Sequence, residues 1–174
     1  MELLQILQNR KSIRKYTDEA IPEESLKKVL QAGLLSASSR SICPWEFIVV
    51  RDKETLVKMA DCRIGAAEML KNAACAVVVV GNEAKSDVWI EDCSIAMANM
   101  HLMADALGLG SCWIQGRLRQ TKDGISTEEF LSNILHFGEE YRLEAILSLG
   151  MIENHPKGYQ LDELKQEKIH WNQF

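Results

Sequence analysis

Val88-Trp89-Ile90-Glu91-Asp92-Cys93-Ser94-Ile95-Ala96-Met97-Ala98-Asn99-Met100-His101-Leu102-Met103-Ala104-Asp105-Ala106-Leu107 is the longest helical pattern in the chain. Its apolar residues lie nearly all round the helix, so most of this element should be hidden from solvent. The exceptions Ser94, His101 and Asp105 fall on one face by spacing. A buried helix with so thin a polar stripe is a natural centre for a subunit interface; a stripe turned to solvent is the competing reading. Gly108-Leu109-Gly110 closes the helix, since glycine adopts the left-handed cap readily. Ser111-Cys112-Trp113-Ile114-Gln115 then reads as a strand.

Working outward, Cys75-Ala76-Val77-Val78-Val79-Val80-Gly81 is a strand whose unbroken apolarity predicts burial on both faces. Trp45-Glu46-Phe47-Ile48-Val49-Val50 is rich in aromatic and β-branched residues and predicts another, and residues 143–150 a further one. Helices are expected over 2–9, from Pro22 (with Glu23 and Glu24 complementing the dipole of the first turn), over 53–60, 64–72 and 126–136. Helices outnumber strands, and the mixture predicts an α+β sandwich.

With 174 residues, the chain is expected to form one domain. Hydrophobic residues make up 47% and charged ones 26%, the balance of an ordinary folded protein. The formal charge of −5 argues against nucleic acid as the main partner. Residues 1–8 lack the basic flank and apolar run of a signal peptide, and no apolar stretch approaches the length of a membrane span. Cys43, Cys62, Cys75, Cys93 and Cys112 never fall at C-x-x-C spacing, and their number is odd. A reducing cytoplasm without a metal cage is the expectation.

Chemistry concentrates at Arg10-Lys11-Ser12-Ile13-Arg14-Lys15-Tyr16. Arg10 and Arg14 stand four apart with Ser12 between them, so guanidinium forks and a hydroxyl could converge on one phosphate. A solvated charge cluster following a helix is the competing reading. Gly108 and Gly110 follow no strand and continue into no G-x-G-x-x-G, which excludes a dinucleotide fingerprint. Trp45, Trp89 and Trp113 read as core residues first and ring platforms second. Cys43 beside Pro44 reads as packing, because no base accompanies it. Taken alone, the residues describe an α+β domain with one phosphate clamp and an unnamed ligand.

Several segments together resemble the nitroreductase family of FMN-dependent oxidoreductases over nearly the whole chain. Arg10-Lys11-Ser12-Ile13-Arg14-Lys15-Tyr16 is similar to its phosphate signature, and Ser38-Ser39-Arg40-Ser41-Ile42-Cys43-Pro44-Trp45-Glu46-Phe47-Ile48-Val49-Val50 to its loop-to-strand signature. Asp87-Val88-Trp89-Ile90-Glu91-Asp92 and Ala106-Leu107-Gly108-Leu109-Gly110-Ser111-Cys112-Trp113-Ile114-Gln115 resemble its central helix and following strand. Lys168-Ile169-His170-Trp171 resembles the closing motif of its short members.

The resemblance implies an α-β-α sandwich on a mostly antiparallel sheet of four strands, completed by a strand or tail exchanged with a partner. It implies a homodimer with FMN at the subunit interface, the segment 151–174 wrapping the partner. Arg10, Lys11, Ser12 and Arg14 would hold the phosphate and ribityl chain, with Lys168 and Lys157 adding charge. Ser38, Ser39, Arg40 and Ser41 would reach the flavin from the other subunit. Trp113, Gln115 and Gly116 would lie along the ring. The implied reaction is ping-pong hydride transfer from NAD(P)H to a small acceptor such as a nitroaromatic or quinone, with no catalytic side chain required. A flavin-storage protein, a dehalogenating or flavin-consuming relative, and an interaction protein without FMN are the alternatives. Ser41, Cys43 and Gly158 stand where the family often has other polar residues, which implies looser flavin contacts.

Overall fold

A computed structural model describes residues 2–174. Its elements in chain order are α1 (Leu3–Asn9), α2 (Glu23–Leu34), β1 (Trp45–Val50), α3 (Lys53–Met59), β2 (Cys75–Asn82), α4 (Trp89–Ala106), β3 (Gly110–Gln115), α5 (Thr127–Leu135) and β4 (Tyr141–Gly150). The strands form one sheet in the order β1-β2-β4-β3, every neighbouring pair antiparallel. Helices cover both faces, giving the expected α-β-α sandwich.

The unbroken apolar run of β2 has the expected cause. Cys75, Val77 and Val79 face a core shared with α2 and α4, while Ala76, Val78 and Val80 face the core built with α3 and α5. All eight residues of β2 are buried. On α4, Met97, Met100 and Ala104 are fully covered, so the helix is a central core element. Deep helices and a twice-covered strand concentrate the hydrophobic stabilisation here, about 25 cal/mol per Å² of apolar surface removed from water.

Some expectations change. Residues 64–72 do not form an α-helix: short 3-10 turns occupy Ala60–Cys62 and Glu68–Asn72, and Gly65 between them sits in the left-handed region at φ +65°. That conformation breaks a helical path. Pro22 is the residue just before α2 rather than its first helical residue. The polar stripe of α4 is taken up within its own chain rather than turned to solvent. His101 and Asp105 are buried, and their polar atoms find partners within their own chain.

Two glycines explain how the amino-terminal segment docks. Gly110 and Gly150 are cross-strand partners in β3 and β4. A Cβ on Gly110 would lie 2.4 Å from Ile152 and 3.1 Å from Ile13, and one on Gly150 would lie 2.6 Å from the Tyr16 ring. The missing side chains let residues 13–16 lie against the sheet end, where Ile13 N–H donates to the Ser111 carbonyl at 2.8 Å and Ser12 bridges Ser111 in parallel. No helix among the described residues is long and apolar enough to cross a membrane.

Candidate functional site

The basic segment following α1 is held at the carboxy-terminal half of α4. Arg10 Nη1 lies 3.0 Å from His101 Nε2, and His101 Nδ1 lies 2.6 Å from Ser111 Oγ. Burial, and then the charge of Arg10, pull the His101 pKa down to about 4, so the ring is neutral at ordinary pH. Tyr16 Oη donates or accepts at Ser148 Oγ (2.7 Å) and also reaches the Ile13 carbonyl at 2.8 Å, and burial raises its pKa. Lys11 Nζ sits 3.0 Å from the centre of the Tyr159 ring, a cation–π contact. Arg14 is exposed and, among the described residues, donates only to the Ser12 carbonyl at 3.4 Å.

The beginning of the tail meets the same corner. His155 Nε2 contacts Asp105 Oδ1 at 2.8 Å, and Tyr159 N–H donates to the Gln8 carbonyl at 2.8 Å. Gly158 is needed there, because a Cβ would stand 2.9 Å from that same Gln8 oxygen. Lys157, exposed, lies between these contacts. Lys168 lies in a later exposed turn, and no hydrogen bond or ion pair among the described residues ties it to this corner. A cleft of about 760 Å³ opens alongside, lined by Ser12, Arg14, Tyr16, Ile152, Asn154 and Pro156 among others.

Arg40, Arg51, Lys71 and Arg142 each pair with a carboxylate, whereas Arg10, Lys11 and Arg14 form no ion pair among the described residues, although Asp18 and Glu153 also line the cleft. Guanidinium forks beside an ammonium suit a phosphate dianion. The residues present therefore fit a phosphorylated ligand.

The loop bearing Ser38, Ser39, Arg40 and Ser41 lies elsewhere, at the amino-terminal end of α4. Asp92, buried, accepts from Ser39 N–H at 2.8 Å and from Ser86 Oγ at 3.2 Å. Arg40 pairs with Asp87, and Ser38 Oγ accepts from Cys43 N–H at 3.0 Å. Arg40, Ser41 and Cys43 all have positive φ, between 50° and 54°. Such conformations in non-glycine residues persist where the surroundings impose them. From Asp92 to His101 is nine residues of helix, about 14 Å.

A third group borders the end of β3. Trp113 Nε1 donates to Gln115 Oε1 at 2.9 Å, both side chains on the α4 side of the sheet. Arg63 Nη1 donates to the Gln115 carbonyl at 3.2 Å, and Gly116 and Arg117 N–H groups donate to the Glu144 carbonyl. Glu144 is the extra residue at the register shift of β4 against Val79 and Val80, a β-bulge. Its carboxylate takes Ser94 Oγ at 3.1 Å, its other oxygen has no partner among the described residues, and burial raises its pKa. Sequence reasoning missed Arg63 and Glu144, since neither stands in a local pattern. Tyr16 lay inside the basic segment and His155 and Tyr159 inside the tail, where only contact with α1 and α4 reveals their part.

Cys43, read as packing, is instead exposed, whereas Cys62, Cys75 and Cys93 are buried and have pKa values pushed up to about 12 by burial. The model of the nitroreductase family matches residues 7–64 and 63–151. This chain belongs to the nitroreductase family. Among related nitroreductases, a protein of Archaeoglobus fulgidus provisionally named NADH dehydrogenase/NAD(P)H nitroreductase is 34% identical, the alignment covering 97% of each chain. The solved structure of an FMN-dependent nitroreductase from Clostridium difficile R20291 superposes with a TM-score of 0.95 at 43% identity, covering 98% of this nitroreductase and 99% of that one. A structure from Bacteroides thetaiotaomicron, provisionally named as the Archaeoglobus protein is, gives 0.89 at 30% identity, covering 99% and 98%. The antiparallel sandwich is thus the nitroreductase fold, and the family makes the protein an oxidoreductase.

Proposed function

We propose that this nitroreductase is an FMN-dependent homodimer whose flavin phosphate rests against Arg10, Lys11, Ser12 and Arg14. The observation that carries this reading is the basic segment without ion-pair partners among the described residues, with Arg10 held on His101 of α4, Lys11 on the Tyr159 ring and Arg14 at the edge of a cleft. Each charge-assisted hydrogen bond to the phosphate would contribute about 1.5–3 kcal/mol. The Clostridium difficile relative carries FMN dependence in its name, and identity over nearly the whole chain supports the same cofactor here.

Bound FMN would supply two-electron chemistry, taking hydride from NAD(P)H and passing it to a small acceptor such as a nitroaromatic or quinone in a ping-pong cycle. The chain's own task is binding and orientation. Trp113 and Gln115 of β3, with Gly116 just beyond it, would face the flavin, and the Arg63 contact fixes the Gln115 carbonyl so that this backbone keeps its direction. Lys157 would add positive charge to the phosphate, and so would Lys168, which stands in the later tail turn apart from this corner of its own chain. No side chain is needed as a general acid or base.

The loop Ser38–Ser41 serves the flavin of the other protomer, which accounts for its place some 14 Å along α4 from Arg10. The tail 151–174 wraps the partner. Its support is the exposed apolar surface of the isolated chain: Leu161, Leu164, Ile169, Trp171 and Phe174 in the tail, with Leu3, Leu4 and Leu7 on α1. A surface of that kind marks an interface. The protein is expected to be cytoplasmic and to form one domain.

Anaerobic addition of NADH or NADPH to the FMN-loaded protein tests the reading. Bleaching of the flavin absorbance, then reoxidation by a nitroaromatic or quinone with turnover, is expected. Absence of bleaching with either nucleotide would overturn the oxidoreductase mechanism, and bleaching without acceptor turnover would mark a flavin store. Sedimentation should give a dimer; an FMN-loaded monomer would overturn the shared site.

A further inference from the structure

We infer that His101 is a positioning residue for the phosphate site: it holds Arg10 as a neutral hydrogen-bond acceptor and so fixes the guanidinium without cancelling its charge. The inference rests on the FMN reading above and extends it to a residue that touches no ligand.

Hydrogen-bond logic fixes the state of the ring. A guanidinium only donates, so the 3.0 Å contact from Arg10 Nη1 requires a lone pair on His101 Nε2. The proton therefore sits on Nδ1, which donates to Ser111 Oγ at 2.6 Å. Both ring nitrogens are satisfied, and the buried imidazole is locked in one tautomer.

Ser111 carries a second duty. Its carbonyl accepts Ile13 N–H, so one residue of β3 sets both the backbone course of the basic segment and the ring that steers Arg10. One of the five guanidinium N–H groups is spent on His101, and the rest remain for an anion.

The choice of an imidazole matters chemically. At the other end of α4, Asp87 holds Arg40, and the pair carries no net charge. A carboxylate at position 101 would orient Arg10 equally well but neutralise it, removing the attraction for phosphate. A neutral acceptor separates orientation from charge.

The test compares FMN with riboflavin, which has the same ring and no phosphate, by fluorescence titration of the flavin-free protein. The wild type should prefer FMN. His101→Leu should reduce that preference about tenfold, the size of one charge-assisted hydrogen bond, with riboflavin affinity unchanged. His101→Gln, a neutral acceptor, should restore most of it, and His101→Glu should lose more than His101→Leu. In an Arg10→Ala background His101→Leu should have no further effect.

Equal losses for both flavins, an unchanged preference in His101→Leu, or the same loss with and without Arg10 would overturn the inference while leaving the flavoprotein reading standing. A wild type that binds neither flavin would overturn both. Nitrogen NMR of the folded protein supplies a readout free of cofactor: a neutral ring protonated at Nδ1 at pH 7 is expected, and an imidazolium or the Nε2–H tautomer would refute the scheme.

Discussion

The two ends of α4 hold basic segments in opposite ways. At the amino-terminal end, carboxylates do the holding: Asp92 takes the Ser39 backbone and Asp87 pairs with Arg40. At the carboxy-terminal half, His101 holds Arg10, and Arg10, Lys11 and Arg14 form no ion pair among the described residues. Asp105, one turn beyond His101, is occupied by His155 of the tail. Arg40, beside the start of α4, therefore has its charge paired, while Arg10, on the helix's far half, does not. An arginine in a sequence signature says little about available charge until its partner is known. The first end is built to shape a loop, the second to present positive charge.

The sharpest way to break this contrast is at Asp92. Asp92→Ala would leave the buried Ser39 N–H and Ser86 hydroxyl without their acceptor, and a loss of about 3 kcal/mol is expected. Urea unfolding would show it as a lower midpoint with unchanged slope. A midpoint within experimental error of the wild type would mean that the loop is not anchored by this carboxylate. Next in size is a matched pair. Arg10→Ala should weaken FMN binding by about 2 kcal/mol, since a phosphate contact to a charged donor is lost. Arg40→Ala should weaken it by less, because Asp87 already offsets the charge that Arg40 brings to the other protomer's flavin. Equal losses in the two variants would erase the distinction between the ends of the helix.

Much of this architecture was legible in the sequence because periodicity reports burial. The β2 run, the apolar α4 pattern and the Gly108 cap each encode a local preference that the tertiary structure keeps. Gly108 does adopt φ +74°. The segment 64–72 was misread because its apolar residues have helical spacing while Gly65 takes a left-handed conformation that spacing does not announce. For the site, Arg10 and Arg14 stood out through their spacing, but their difference did not. Arg10 is fixed by a histidine 91 positions away, whereas Arg14 stays exposed on its own backbone. Arg63 and Glu144 were invisible for the same reason, since each matters through residues distant in sequence. The stripe Ser94, His101, Asp105 was correctly placed on one face, yet its three partners (Glu144, Arg10 and His155) come from three parts of the chain.

A smaller effect should appear at the middle of α4, where Ser94 meets Glu144. Burial raises the Glu144 pKa above its unfolded value, so the folded state holds the proton more tightly than the unfolded chain. Stability contributed by the protonated form is complete below the unfolded pKa and is lost as pH rises through the folded one. Glu144→Gln cannot ionise. Wild type should therefore lose stability relative to Glu144→Gln as pH climbs from about 4.5, measured as the difference in urea midpoints. Parallel midpoint curves would show that the carboxyl is not buried in solution.

The smallest effect expected is a pH-dependent opening of the tail at Asp105 with the rest of the fold intact. His155 gains its hydrogen bond to Asp105 in the folded state, and that bond, foremost among the causes, raises its pKa above the unfolded value. The contribution is fully present below about pH 6.5 and fades as pH rises through the higher folded pKa. Both ring nitrogens have oxygen partners, Asp105 and the Pro156 carbonyl, so the charged ring with two N–H donors suits the site best. Raising the pH should therefore loosen residues 155–159 from α1, while the Arg10–His101 contact, which needs a neutral ring, stays intact. Hydrogen exchange of the Tyr159 amide, bonded to Gln8, would report the opening after correction for intrinsic pH dependence. Faster exchange at pH 9 than at pH 6 is expected in the wild type, and Asp105→Asn should flatten the difference. If exchange at Tyr159 ignores both pH and the substitution, the tail is held to the corner by its backbone and the Lys11–Tyr159 contact alone, and Asp105 serves only the core.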